Sequence, residues 1–554
     1  MGLPRGVAAK PSNTPRRLMP SHSDRGFVLT KLTIALTSVC AALVLAGSAS
    51  AAFSVGVTED GGKATSDAGA AFFTTLNDVG IVQNQVSISW NPAAPSAIAN
   101  KQTVDAWLPV AQLHSIKIIF NVSWTKPQDI VASPTAAAQF AAFLQQLART
   151  YPTVREYVIG NEPNLSYFWQ PQFNADGSGA SGPGYEAVLA QSYDALKAVD
   201  PGIDVIGVGL SPRGRDNPGA ASNQTTSPVR FLRDFAAAYR KSGRKAPIMD
   251  ALAFHPYPNL NTDTLTTGYR WPNAGVADLE RIKQAIWDGF HGTRQPTFAE
   301  PGLKQSHPLV LHLDETGWQA EVPPLYQTLY TGKENVPTIT EDAQAQIYGD
   351  LVRMMSCDVD VVSLNFFHMI DEANLDRWQS GLERVDGSHR PSYDAVKAAI
   401  AETNAGCPFT PTRWRHVSSV IGSEVEFRSA KPRAARSLWT TAEEEATFRA
   451  GVLRLPSSKP LGAKGLKRLA GLLSRANAPQ LALKTGGKLK AYESRTIRFP
   501  RKTLKAGYFV YGLRLAATMN PGRTKLYVSK PFRVGPATPA KKKKKAPPKA
   551  RKKK

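Results

Sequence analysis

The chain has 554 residues, a 42% apolar fraction and a formal net charge of +24. It is too long for one small domain and has an ordinary globular apolar content, so two or three folded parts are expected and wholesale disorder is excluded. The charge is uneven: residues 52–410 carry about 26 Lys and Arg against about 37 Asp and Glu, and residues 411–554 about 36 against about 6, so the main body lacks the basic character of a nucleic-acid binder.

The chain opens with Arg5, Lys10, Arg16, Arg17, Arg25 and Lys31, then an apolar run from Leu32 to Gly47, then Ala49-Ser50-Ala51. A basic stretch, a short apolar run and a small-residue site make a secretory signal, so residues 1–51 are expected to be a signal peptide. The apolar run is short for a membrane span. A secreted or cell-envelope location follows as an expectation. Cys40 lies in the apolar run. Cys357 and Cys407 remain, and an even pair outside the cytoplasm is expected as a disulfide.

From residue 53 strand and helix patterns alternate. Strands are expected at 53–57, 85–90, 116–124, 157–162, 204–210, 251–257, 309–315 and 359–367. Helical spacing is clearest at 136–150, 185–199, 342–355 and 393–404. Eight strands, each followed by a helix, predict a parallel sheet with right-handed crossovers. The span, residues 52–407, suits an α/β fold of the (β/α)8 TIM barrel type. No Gly-rich phosphate loop follows the first strand, which argues against a nucleotide-binding open sheet.

Such a barrel builds its active site at the carboxyl ends of its strands. Strand four ends in Asn161-Glu162, strand six in His255-Pro256-Tyr257, and strand seven in Asp314-Glu315. Strands four and seven lie across the mouth from one another, so Glu162 and Glu315 can converge on one atom. Hydrolysis of a glycosidic bond uses two such carboxyl groups, and a retaining enzyme holds them about 5–5.5 Å apart. Trp90, Trp124 and Trp318 fall at strand ends, where indoles can stack on sugar rings, although each singly is as readily a packing residue. Trp169 and Trp271, in the loops beyond, carry the same two readings. By strand alternation Asp314 and His312 should face the helices, Asp314 as a structural hydrogen-bond partner and His312 as a core residue. His368 is open to either role. No His, Asp and Glu cluster has metal spacing, so neither metal nor cofactor is expected.

Gly160-Asn161-Glu162-Pro163-Asn164 at the end of strand four resembles the acid/base motif of the clan A glycoside hydrolases. Asp314-Glu315-Thr316-Gly317-Trp318 is similar to that clan's nucleophile motif. The resemblance covers roughly residues 53–405 and implies a retaining (β/α)8 glycosidase, with Glu162 as acid/base and Glu315 as nucleophile. It further implies that Asn161 binds the sugar 2-hydroxyl and that His255 or Tyr257 orients the nucleophile. Many members carry an Arg at the end of strand two; here Ser87, Ser89 and Trp90 occupy that region.

Beyond Cys407, residues 408–415 read as a linker and residues 416–535 as a basic β-sandwich-like domain. A hairpin is expected from 507–515 to 524–534, turning at Asn520-Pro521-Gly522, and 461–476 has helical spacing. Residues 536–554 read as a disordered Lys/Pro-rich tail. The partners expected are a carbohydrate substrate and an anionic cell-envelope polymer held by the basic C-terminal region. Nucleic acid is not expected, because the tail lacks interleaved aromatics. A monomer is expected. The alternative is a barrel that binds carbohydrate without cleaving it, as an envelope protein.

Overall fold

The computed structural model describes residues 53–302, 305–416, 422–428, 437–442, 445–475, 477–490, 493–500, 504–518 and 523–535. Residues 1–52, 536–554 and 519–522, where a signal peptide, a disordered tail and the hairpin turn are expected, lie outside the described residues. Eight strands pair in parallel in chain order and β8 closes on β1, giving a complete barrel. They are β1 (Ser54–Thr58), β2 (Gln83–Trp90), β3 (Lys117–Trp124), β4 (Glu156–Ile159), β5 (Asp204–Leu210), β6 (Ala251–Phe254), β7 (Val310–Thr316) and β8 (Val361–Phe366). The helices that follow them are α1 (Ala70–Val79), α2 (Lys101–Leu113), α3 (Ala136–Thr150), α4 (Ser181–Val199), α5 (Pro228–Ser242), α6 (Leu279–Phe290), α7 (Glu341–Met355) and α8 (Pro391–Thr403).

Helix spacing explains how each helix seats. In α3, Ala136, Phe140, Phe143, Leu144 and Leu147 are buried, an i, i+3, i+4 stripe facing the barrel. Phe140 meets the edges of Trp90 and Trp124 with ring centroids 5.5 and 5.8 Å apart. Truncating Phe140 to Ala would cost about 3–5 kcal/mol. These contacts correct one expectation. Alternation along β2 and β3 turns Ser87, Ser89, Asn121 and Ser123 toward the mouth, and so sends Trp90 and Trp124 outward against α3.

The barrel interior is divided. Ile119, Val158, Ile206, Ala251 and Ala253 form a small apolar cluster on the β3–β6 side. The β1, β2, β7 and β8 side is polar. Gln83 donates to Asn365 at 2.6 Å, Gln85 donates to Asp314 at 3.3 Å, and His312 pairs with the Ser363 hydroxyl at 2.8 Å. Asp314 and His312 therefore face inward, not toward the helices. Val310, His312 and Asp314 alternate onto the interior side, and one extra residue in β7, where its register against β8 slips between Leu313 and Thr316, lets Glu315 join them.

After α8 the chain does not leave the barrel at once. Residues 408–415 are strapped to it: the Thr412 amide donates to Cys357 O, the Val359 amide donates to Thr412 O, and Trp414 is buried in the barrel core. The apolar indole explains why this stretch is not a free linker. Cys357 and Cys407 are joined, with Cα atoms 4.9 Å apart.

Two antiparallel sheets follow. One holds β9 (Ser423–Arg428), β10 (Ser437–Ala442) and β13 (Arg495–Arg498). The other holds β11 (Ala446–Leu455), β12 (Leu481–Leu489), β14 (Gly507–Ala517) and β15 (Thr524–Val528), with β16 (Phe532–Val534) also pairing with β14. Leu438, Ile497, Phe448, Val452, Leu483 and Leu513 fill a common core between them, so this is a sandwich. Helix α9 (Ala463–Leu473) covers the outer face of the larger sheet through Leu469, Leu472 and Leu473. Arg270 ties the sandwich to the barrel, meeting Glu426 at 2.5 Å and lying over the Trp439 ring.

Candidate active site

The barrel mouth opens into a cleft of about 1490 Å³, lined by loops from all sides of the sheet. At its floor stand Glu162, Glu315, Asn161 and Tyr257. Glu162 is not simply the next residue of a strand. β4 stops at Ile159, and the chain turns through Gly160 at φ 76° and Glu162 at φ 36°. A Cβ on Gly160 would meet Trp124 at 3.0 Å and Tyr185 at 3.3 Å, so the turn needs glycine twice over. The left-handed Glu162 backbone is costly for a non-glycine residue and persists because its surroundings hold it. The Glu162 amide donates to Gly209 O at 2.8 Å. The Tyr185 hydroxyl donates to Ile159 O at 2.5 Å and accepts from the Val208 amide at 2.8 Å. Asn164, fully buried, accepts from the Ser211 amide and donates to Ser211 O and Thr226 O. Tyr185 and Asn164 are positioning residues that sequence reading did not single out. Asn164 lay inside the motif, and an amide just past a strand-end turn was the available signal.

His255 sits beneath the pair, fully buried. Its Nδ1 lies 3.1 Å from Glu162 Oε1 and 3.5 Å from Glu315 Oε2. Both oxygens share one nitrogen, so they can be no further apart than the sum of those distances. On the other side Nε2 lies 3.4 Å from Asp314 Oδ1, an ion-pair distance without hydrogen-bond geometry. The Tyr257 hydroxyl donates to Glu315 Oε2 at 3.1 Å. Asn161 Oδ1 accepts from Asn121 Nδ2 at 3.3 Å, which orients the Asn161 side chain at the cleft floor.

Burial dominates the electrostatics. It pushes the Glu315 carboxyl up to about 7; Glu162 and Asp314 add to this, and His255 and Tyr257 oppose it. Burial works against a charged imidazole, yet Glu315, Asp314 and Glu162 outweigh it and hold His255 well above its ordinary value. Burial and the same carboxylates hold the Tyr257 phenol well above its usual range, so it stays a donor. Burial and mutual charge thus hold protons on Glu315, His255 and Tyr257 to higher pH than each would keep them alone.

No family model matches the chain, and no curated protein matches it. Its structural neighbours are glycoside hydrolases. A family 39 glycoside hydrolase from the gut symbiont Bacteroides cellulosilyticus WH2 is 15% identical, with 81% of each chain covered and a TM-score of 0.44. A family 39 β-xylosidase from Caulobacter crescentus is 16% identical over 83% of this chain and 95% of its own, with a TM-score of 0.41. A glucosidase from Croceicoccus marinus is 12% identical over 81% and 93%, with a TM-score of 0.42. These likenesses are distant, and the barrel stands on its own strand pairing.

The structure brings Glu162, Glu315, Asn161, His255 and Tyr257 together. It does not bring the tryptophans. Trp90, Trp124 and Trp318 are buried, with indole N–H groups donating to Pro95 O, Phe168 O and Asp263 O, and none lines the cleft. Trp169 and Trp271 are buried as well. The aromatic lining comes instead from Phe168, Tyr257, Phe367 and Trp378, with Trp378 against the Tyr257 ring at 4.9 Å. Trp378 lies in a long loop with no strand-end signature, which is why it escaped. His368 lines the cleft and pairs with Thr58 O at 3.0 Å through Nδ1. Among the described residues no group of three or more His, Cys, Asp or Glu could hold a metal ion.

Proposed function

We propose that this protein is a secreted retaining glycoside hydrolase acting on a poly- or oligosaccharide. One observation carries the reading: a single buried imidazole nitrogen lies within 3.5 Å of two carboxylates from opposite sides of a barrel mouth. In the proposed reaction Glu162 gives its proton to the glycosidic oxygen as that bond breaks. Glu315 attacks the anomeric carbon and forms a glycosyl ester. Glu162 then takes a proton from water, which attacks the same carbon and releases Glu315. A nucleophile must be ionised. With its carboxyl at about 7, Glu315 is half-protonated at neutral pH, so productive binding has to leave the proton on Glu162. The Tyr257 hydroxyl favours that arrangement, because Glu315 accepts from the phenol while Glu162 does not. Asn161, on the cleft floor beside Glu162, is the proposed partner of the sugar 2-hydroxyl.

The Cys357–Cys407 bridge supports export, because such bonds persist outside the reducing cytoplasm. The basic C-terminal region is proposed to hold the enzyme on an anionic envelope polymer. Removing residues 536–554, or raising salt, should then weaken retention on envelope material without changing turnover of a small glycoside.

The test is a panel of 4-nitrophenyl glycosides and polysaccharides, with the first-formed anomer identified by NMR. Glu315→Gln should abolish turnover and keep sugar binding, and a 2-deoxy-2-fluoro glycoside should label Glu315. Sugar binding without hydrolysis of any substrate would favour the non-catalytic alternative. Inverted product, or a label elsewhere, would overturn the assigned roles.

A further inference from the structure

We propose that the cleft takes an acidic saccharide, with a sugar carboxylate held by Arg213 and Arg215. The inference rests on the carbohydrate reading of the cleft and names its substrate class. Both arginines line the cleft on the loop after β5. They flank Gly214 on that loop, and both are exposed. Neither guanidinium forms an ion pair among the described residues; Arg213 donates only to the Asn259 carbonyl, at 3.2 Å.

The backbone between them is firmly held. The Gly214 amide donates to Asn273 Oδ1 at 2.9 Å, and the Arg215 amide donates to Thr225 Oγ1 at 2.9 Å. A Cβ on Gly214 would lie 2.1 Å from the Thr226 backbone, so the loop is pressed against the neighbouring segment. The carboxylate nearest in sequence, Asp216, is turned away and accepts from the Ser227 amide and hydroxyl. Two cations are thus presented on a fixed loop, and no carboxylate among the described residues pairs with either.

Charge is polarised across the mouth. β5 stands four strands from β1, on the opposite side of the barrel. The acidic lining residues beyond the central pair are Glu59, Asp60 and Glu372, from the loops after β1 and β8; Asp371 is buried and neutralised by Arg390. The β5–β6 side carries the arginines with Asn223 and Asn259, whose side-chain amides suit sugar hydroxyls. A carboxylate on a bound sugar is attracted to that side and repelled from the other. Arginine forks match carboxylate geometry in pairs of hydrogen bonds, which favours a carboxylate over a neutral group at the same place. The acidic sugar therefore lies toward β5 and β6, and a non-acidic unit toward β1 and β8.

The test uses the full chain carrying Glu315→Gln, so that binding is read without turnover. The probes are short oligosaccharides pooled from several uronic-acid polymers, and the same pools after chemical reduction of their carboxyl groups. Titration is compared with and without Arg213→Ala and Arg215→Ala; the C-terminal region is identical in both and cancels. The double substitution should weaken binding of the acidic pool about tenfold, an effect that shrinks in high salt. It should leave the reduced pool unchanged. Equal loss on both pools, no loss on the acidic pool, or no binding of the acidic pool at all overturns the proposal. Failure to cleave any glycoside, with arginine-dependent binding intact, would sink the hydrolase reading and leave this one standing.

Discussion

Tyr257→Phe tests the balance of protons at the cleft floor. The substitution removes one atom, the hydroxyl that donates to Glu315 Oε2 at 3.1 Å, and leaves the ring against Trp378. A hydrogen bond to a charged group is worth about 1.5–3 kcal/mol, and one pH unit corresponds to about 1.4 kcal/mol. Losing it disfavours the ionised carboxylate, so the Glu315 carboxyl, already at about 7, should climb by about one to two pH units. If Glu315 is the nucleophile, kcat/KM rises with pH as Glu315 ionises. The acid limb of the wild-type profile should therefore fall near 7 and that of the variant about one to two units higher. Below the limb the variant should be about ten- to a hundredfold slower, and well above it the two should converge. The assay is the pH dependence of kcat/KM on the best 4-nitrophenyl glycoside. An acid limb that does not move, or moves down, refutes the reasoning. A profile that falls through 7 as pH rises would instead make Glu315 the acid.

Arg390→Ala should cost about 3–5 kcal/mol in urea unfolding, because it strips the fully buried Asp371 of its 2.5 Å partner and Glu341 of a 2.7 Å one. Unchanged stability would mean that those acids relax onto other donors. Reducing the Cys357–Cys407 bridge, which closes a 50-residue separation, should remove about 4 kcal/mol by the chain-entropy model and lower Tm, while leaving the pH profile of turnover as it was. Burial raises the Glu383 carboxyl from 4.5 to about 7. The folded state therefore favours its neutral form, and the stability this group contributes is intact below about 4.5 and lost as pH rises through 7. Glu383→Gln should flatten that window and gain up to about 3 kcal/mol at alkaline pH, read by denaturant melts across the range.

Much of the plan was legible in local pattern. Strand and helix periods depend on backbone geometry alone, so eight alternating units and a following sandwich could be counted along the chain. Glu162 and Glu315 stood out because a carboxyl group at a strand end has no packing reason to be there. His255 and Tyr257 are visible at the end of strand six, but a role for them came only from the resemblance to the clan A glycosidases. Tertiary structure decided what alternation could not. A single extra residue between Leu313 and Thr316 lets Glu315 share the interior side with Asp314, which lies beneath His255. At strand ends Trp90 and Trp124 could serve sugar or packing, and the same alternation that aims Ser89 and Ser123 at the mouth drives both indoles against Phe140. Trp378 and the Arg213–Arg215 pair reach the cleft from long loops, whose paths are set by contacts such as Gly214 against Thr226 rather than by any repeat in the sequence. Period and composition fix where side chains sit along an element. Which of them meet in space depends on closure of the barrel and on how loops are pinned across it, and those are properties of contacts between residues far apart in the chain.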